Sequence, residues 1–253
     1  MLVKDLPVPG GADKRAYVRG MFSAIAPRYD LLNHLLSLNV DRRWRRQAVA
    51  ELDWERAPAG TYLDFCAGTL DLAATLGNLA GFAGRVVGAD FVTPMLALGK
   101  GKSAAVVPVT ADTLALPFPD QSFDGATVGF GVRNLADLDR GLEEAARVLR
   151  PGARLVVLEF TTPAWQPLRG LYFFYFRRVL PLIGRIVSKH GSAYSYLPES
   201  VLAFPGPEEL KARIGRAGFD GVRVKLLMGG ICAIHVGTRT GGQTDRRTVA
   251  DGD

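Results

Sequence analysis

The 253-residue chain is long enough for one large α/β domain with a well-buried core. Apolar residues make up 48% and charged residues 22%, an ordinary balance for a globular protein. No run of eighteen apolar residues is free of charge, which excludes a transmembrane helix, and "MLVKDLPVPGGADKR" lacks the apolar core of a signal peptide, so cytoplasmic residence is expected.

The net charge of +6 suits either nucleic acid or an anionic membrane face, and composition does not choose between them. Cys66 and Cys232 lie far apart, with neither CxxC spacing nor a Cys/His cluster, so they read as small core residues and no metal is expected.

In chain order, residues 1–16 and 240–253 read as flexible ends around a single domain at 17–239. Residues 17–51 read as a helical cap, with Met21, Phe22, Ile25, Leu31, Leu32, Leu35 and Leu36 at helical spacing. From residue 61 short apolar strands alternate with helices: "TYLDFC", "RVVGAD", "AVVPVTA", "FDGATVGF" and "ARLVVLEFT" are the strands. The helices between them include "TPMLALGKGK", with Thr93 as its cap and Pro94 at its first position. Residues 165–200 form an inserted amphipathic lid, and "EELKARIGRAG" is a helix closed by Gly218. "VRVKLLM" and "ICAIHVGTR" then form an antiparallel hairpin through Gly229 and Gly230. The expected fold is α/β: a Rossmann-like, mostly parallel seven-stranded sheet with a C-terminal antiparallel hairpin. By analogy of fold, that is the architecture of class I S-adenosylmethionine-dependent methyltransferases.

Ligands of open α/β sheets bind beyond the carboxyl ends of the strands. Those ends carry Asp64 to Asp71, then Asp90, then Asp112 and Thr113, then Gly129 to Asn134. Gly68 lets backbone approach a ligand without a Cβ in the way. Asp90, about 20 residues beyond that loop, is placed to accept from ribose hydroxyls. Asp112 suits an adenine amino group, with the neighbouring N–H for a ring nitrogen, and Asp64 suits a methionine ammonium. For each acid the competing reading is a cap or turn former. A dinucleotide site would need GxGxxG, whereas "CAGTLD" offers one glycine and sets Asp71 where it would repel a phosphate. S-adenosylmethionine is therefore the expected cofactor.

Long segments of the chain resemble the C-methyltransferases of menaquinone and ubiquinone biosynthesis. They include "MFSAIAPRYDLLNHLLSLNVDRRWRR", "YLDFCAGTLDLA", "LPFPDQSFDGATVGFGVRNLADLDRGLEEAARVLRPGARLVVLEF", "YSYLPESVLAFP" and "GGICAIHVGTR". The resemblance implies cofactor contacts at Thr69, Asp90, Asp112 and Thr113, with Asp64, Gly68 and Gly129 lining the same cleft. This chain departs from the pattern at Leu70, where Gly or Ala is usual, and at Asp112, Gly129, Lys189 and His190. The implied reaction is methyl transfer to a ring carbon of a prenylated hydroquinone, demethylmenaquinol to menaquinol. Another small phenolic or polyketide acceptor, or a non-catalytic cofactor-binding protein at a membrane, remain the alternatives.

An electron-rich hydroquinone attacks more readily as its hydroxyl loses a proton, so a cation near that oxygen would stabilise the phenolate. Arg133, with Asn134 as neutral partner, is the candidate; its structural alternative is a salt bridge to Asp137 or Asp71. Tyr194 and Tyr196 are candidates to meet the acceptor, with a buried-and-exposed strand pair as the alternative. Tyr29 and Asp30 are placed to close over the cofactor. In the lid, Arg177, Arg178, Arg185 and Ser188 share one helix face, opposite Leu171, Phe174, Val179 and Ile186. Such an element suits peripheral contact with an anionic membrane at the inner face of the cell membrane. Nucleic acid is disfavoured, because the basic and aromatic residues lie on opposite faces. A homodimer is compatible with the chain, which does not itself set the oligomeric state.

Overall fold

The computed structural model describes residues 11–30, 37, 39–175, 178 and 192–241, with the side chains of 11, 12, 28 and 192–195 aside. Helix α1 (Gly11–Ile25) precedes a 3-10 turn at Ala26–Arg28 and helix α2 (Val40–Ala50). The first helix thus begins six residues ahead of the expected cap.

The alternating part follows as β1 (Thr61–Phe65), α3 (Asp71–Gly77), β2 (Arg85–Asp90), α4 (Thr93–Gly99), β3 (Val106–Thr110), β4 (Phe123–Gly129), α5 (Leu138–Val148) and β5 (Leu149–Phe160). Two lid helices, α6 (Gln166–Phe174) and α7 (Ser192–Ala203), and then α8 (Pro207–Arg216) lead into β6 (Phe219–Leu227) and β7 (Cys232–Arg239). One seven-stranded sheet results, ordered β3-β2-β1-β4-β5-β7-β6. Pairing is parallel from β3 to β5, whereas β7 runs antiparallel to both β5 and β6. This is the fold that the alternation predicts.

Strand composition explains the layering. β1 buries four consecutive residues, because helices cover both faces of a parallel sheet and the polar alternation disappears. One face packs Leu63, Phe65 and Leu155 against Leu142 of α5 and Ile214 of α8. The other packs Tyr62, Val86 and Val156 against Trp44 of α2 and Leu76 of α3.

Local signals set the ends of the helices. Asp137 caps α5 by accepting from the N–H of Arg140 at 3.0 Å. Pro207 occupies the first turn of α8, where its missing N–H costs nothing.

Leu70, the departure in the first loop, is left-handed (φ 64°) and buried. Its side chain fills space left by two glycines: a Cβ at Gly88 would lie 2.3 Å from Leu70 Cδ2, and one at Gly99 2.7 Å from its Cγ. It packs between β2 and α4.

Candidate active site

The carboxyl ends of β1, β2, β3 and β4 open together onto one cleft. Gly68, Asp90, Asp112, Thr113, Gly129 and Asn134 line it. Phe91, Met95 and Leu114 add apolar surface, and Arg15, Val18 and Phe22 of α1 reach over it together with Tyr29.

Asp90 is the organiser of the β1 and β2 ends. Its Oδ2 accepts from the N–H of Gly68 at 2.8 Å and its Oδ1 from that of Val92 at 2.8 Å. Burial pushes its pKa up, opposed by the N–H donors of Val92, Gly68 and Phe91. Gly68 has φ +52°, and a Cβ there would meet Met95 Cε at 3.6 Å, so the missing side chain leaves room beside the carboxylate. Each Asp90 oxygen retains a lone pair for a further donor, as a ribose diol would supply.

At the β3 end, Asp112 accepts from the N–H of Leu114 at 3.0 Å and forms an ion pair with Arg15 of α1. The Thr113 hydroxyl lies 3.3 Å from Cys66 Sγ. Lys14 donates to the carbonyls of Arg133 (3.2 Å) and Leu135 (2.6 Å), pinning α1 across the cleft. The stretch that reads as a loose N-terminus therefore supplies part of the cleft cover; the alternation of Lys14, Arg15 and Val18 on a helix was the available signal.

Two of the cofactor candidates lie behind the wall. Asp64 is 1% exposed and faces inward, where Oδ1 accepts from the Thr127 hydroxyl (2.9 Å) and Oδ2 from the N–H of Ala73 (3.0 Å). Thr69 is buried and donates to Asp30, which also accepts from Lys102 at 2.6 Å. Lys102 reaches Asp71 as well, at 2.6 Å, and Arg45 stands 3.4 Å from the same carboxylate. This charge network ties the helical cap to the first loop and leaves no phosphate cradle there.

Burial raises the Asp64 pKa to about 7, against the hydrogen bonds from Thr127 and Ala73. A carboxyl raised above its unfolded value stabilises the fold while protonated; that contribution is full below about pH 4 and lost as pH rises through about 7. Asp64→Asn is therefore expected to lose less stability than the unmodified chain between pH 5 and pH 8, by roughly 2–3 kcal/mol. Denaturant midpoints at the two pH values measure it, and parallel curves would contradict the assignment.

At the β4 end a 3-10 turn at Val132–Asn134 carries Arg133 and Asn134. Asn134 faces the cleft; its Oδ1 accepts from the Tyr196 hydroxyl at 3.0 Å and its Nδ2 donates to the Phe130 carbonyl at 3.4 Å. Arg133 is only 9% exposed and sits one layer behind, paired with neither Asp137 nor Asp71. Its Nη1 donates to Glu159 at 2.7 Å and also to the Phe130 carbonyl. Burial lowers the Arg133 pKa, but the Glu159 carboxylate together with Tyr29 and Tyr196 outweighs it, so the net shift is upward and the group stays charged. Tyr194 lies on α7, a helix and not a strand, with its side chain outside the described residues; Tyr196 on the same helix is buried. Sequence reasoning missed Glu159. The sign of it was an acid inside the apolar run "LVVLEF", since a buried carboxylate requires a partner.

The loops after β1 and β4 touch closely: a Cβ on Gly131 would lie 2.4 Å from Cys66 Cβ. Cys66 is itself left-handed (φ 51°), a conformation that favours glycine. Gly131→Ala is expected to part the loops and weaken cofactor binding about tenfold, a loss of about 1.4 kcal/mol. Adding Cys66→Gly should restore most of it, as calorimetry would read; an unrescued double variant would contradict the contact.

S-adenosylmethionine fits these residues. Asp90 is free to take a ribose diol, Gly68 leaves space beside it, Phe91, Met95 and Leu114 form an apolar slot for a planar base, and the loop lacks a phosphate cradle.

Comparison with known proteins gives the family of the chain. Residues 11–239 match the ubiE/COQ5 methyltransferase family. The chain is 54% identical to the demethylmenaquinone methyltransferase of Thermus thermophilus, over 87% of this chain and 100% of that protein. It is 45% identical to the ubiquinone/menaquinone biosynthesis C-methyltransferase UbiE of Geobacter sulfurreducens, over 90% of each. Among solved structures, the [4+2]-cyclase SpnF covers 94% of this chain and 100% of its own, at TM-score 0.65 and 16% identity. A possible histamine N-methyltransferase from Thermotoga maritima covers 87% and 99%, at TM-score 0.60 and 20% identity. At those identities the solved structures speak for the fold alone. The chain belongs to the ubiE/COQ5 methyltransferase family.

Proposed function

We propose that this methyltransferase acts on a ring carbon of a prenylated hydroquinone, demethylmenaquinol foremost, with S-adenosylmethionine as donor. The observation that carries the reading is the wall of the cleft at Phe130. Phe130 lines the cleft and is backed by tilted contacts with Phe160 (centroids 4.6 Å apart) and Trp44 (6.2 Å), an aromatic flank suited to a flat apolar ring.

When bound, S-adenosylmethionine would supply a methyl group on a cationic sulfur and leave as S-adenosylhomocysteine, and the ring carbon that takes the methyl would give up its hydrogen as a proton to water. The protein's contribution is alignment and charge. Asp90 and the Gly68 turn would hold the ribose side, while Asp112 and the N–H beside it at Thr113 would meet the base. Asp64, Thr69 and Gly129 support the loops around the methionine end. Asn134 presents its amide at the acceptor side, with Arg133 behind it to stabilise the phenolate that forms when the hydroxyl gives its proton to water. Helix α1 lines one side of the cleft through Arg15, Val18 and Phe22.

The acceptor's prenyl tail gives the lid a role. Trp165, Leu171 and Phe174 are 67%, 64% and 60% exposed on and beside α6, and Met228 on the adjoining β6–β7 turn is 54% exposed. Leu168 of α6 meets Gly229 of that turn, so these side chains form one apolar face. No helix among the described residues is long and apolar enough to cross a membrane. We assign this face to peripheral contact with an anionic membrane; the Arg177 and Arg185 of the expected basic face lie outside the described residues. Trp165→Ala with Phe174→Ala should lower co-sedimentation with anionic vesicles severalfold, and an unchanged bound fraction would reject the contact.

The acceptor is tested by incubating the chain with methyl-labelled cofactor and either demethylmenaquinol or the corresponding benzoquinol, followed by mass analysis. One methyl added to the naphthoquinol, faster than to the benzoquinol, is the expected result. Equal transfer to small phenols without a prenyl tail would favour the alternative acceptor class.

A further inference from the structure

Glu159 lies at the end of β5, 1% exposed, and touches no part of the cleft surface. Its carboxylate accepts from three donors: Arg133 Nη1 at 2.7 Å, the Arg133 backbone N–H at 3.4 Å and the Phe160 backbone N–H at 2.8 Å. One acid therefore holds the guanidinium, the turn that bears it, and the chain leaving β5.

The guanidinium in turn donates to the Phe130 carbonyl and stands 5.5 Å over the Phe160 ring, while its Nε has no partner among the described residues. Phe130 has φ 59°, an uncommon conformation for a non-glycine residue, and its carbonyl also takes the Asn134 amide at 3.4 Å. A connected path thus runs from Glu159 through Arg133 and the Phe130 carbonyl to Asn134 on the cleft wall. An apolar pair would fill the same space at comparable stability, so a buried ion pair here is poorly explained by stability alone.

We propose that Glu159 is a positioning residue for methyl transfer: it sets Arg133 and the Phe130–Asn134 turn at the acceptor side of the cleft. The proposal rests on the hydroquinone reading above. Through Arg133 it fixes both the geometry and the net charge near the acceptor hydroxyl. The titratable groups facing the pair are Tyr29, Tyr172, Tyr196, Cys66 and Cys232, with Lys14 on the Arg133 carbonyl. Burial raises Tyr172, Tyr196, Cys66 and Cys232, so these stay neutral near pH 7. Removing the Glu159 charge leaves the guanidinium uncompensated, which favours the phenolate and moves the acid limb of the kcat profile to lower pH.

The test uses the full chain with Glu159→Gln and Glu159→Asp. For Glu159→Gln the cofactor dissociation constant and the acceptor KM should stay within threefold, with kcat down at least thirtyfold and the acid limb displaced downward by about one pH unit. Glu159→Asp should return the limb to its original midpoint. A Glu159→Gln kcat within threefold and an unmoved limb would overturn the proposal. So would parallel losses of kcat, cofactor affinity and melting temperature without a limb shift, because that pattern is structural. Absence of methyl transfer to either quinol by the unmodified chain would overturn the acceptor reading and this proposal with it.

Discussion

Asp90→Ala is expected to weaken S-adenosylmethionine binding at least a hundredfold while leaving the melting temperature within a few degrees. The carboxylate stands in the cleft wall with both oxygens on backbone donors and with lone pairs to spare. Two charge-assisted hydrogen bonds to a ribose diol are worth about 3–6 kcal/mol together, which sets the size of the effect. The same substitution frees the Gly68 N–H and so loosens the turn against which the ligand lies. Stability changes little because removing a buried carboxylate also removes its desolvation cost, the main reason for its raised pKa. Calorimetric titration beside a thermal melt separates the two effects. Near-normal affinity would refute the ribose role; a collapse of both would make Asp90 structural.

Arg133→Ala should lower stability and turnover together. The side chain is the counterion of Glu159, and both are buried. Losing one partner leaves an unpaired interior carboxylate at about 3–5 kcal/mol. At this chain length that corresponds to roughly 6–20 °C in melting temperature. Replacing both, as Arg133→Met with Glu159→Leu, restores an apolar contact and should recover most of the melting temperature. It should not recover turnover, because neither charge nor guanidinium donors return. A double variant that regains both would reduce the pair to packing and remove Arg133 from the chemistry. Assays run on folded protein, verified by melt, decide between these results.

The sheet was legible from the chain because strand, helix and glycine signals agreed at each connection, and the "GGICAIHVG" ending marked the hairpin. The cleft residues Gly68, Asp90 and Asp112 were legible for a related reason: strand ends of an α/β sheet converge, so polar groups there share a site. Which way each side chain points was not legible. Asp64 sits in a strand buried on both faces, where the two-residue alternation that would assign a face is missing. Thr69 is claimed by Asp30, a contact across 39 positions that no local pattern announces. Tyr196 belongs to a helix, so a strand-like reading of "YSY" could not anticipate its bond to Asn134. Leu70 stands where Gly or Ala is usual, yet Gly88 and Gly99 make the space that it fills. The partner of Arg133 was hidden for the same reason as Thr69's: Glu159 is 26 residues away on the next strand.

The most direct measurement is transfer of a carbon-13 methyl group from S-adenosylmethionine to demethylmenaquinol, with the product read by nuclear magnetic resonance. The expected result is a single labelled methyl bonded to a ring carbon, formed by the unmodified chain and lost with Asp90→Ala. A labelled methoxy group, or no label in the quinol although the cofactor binds, would contradict it.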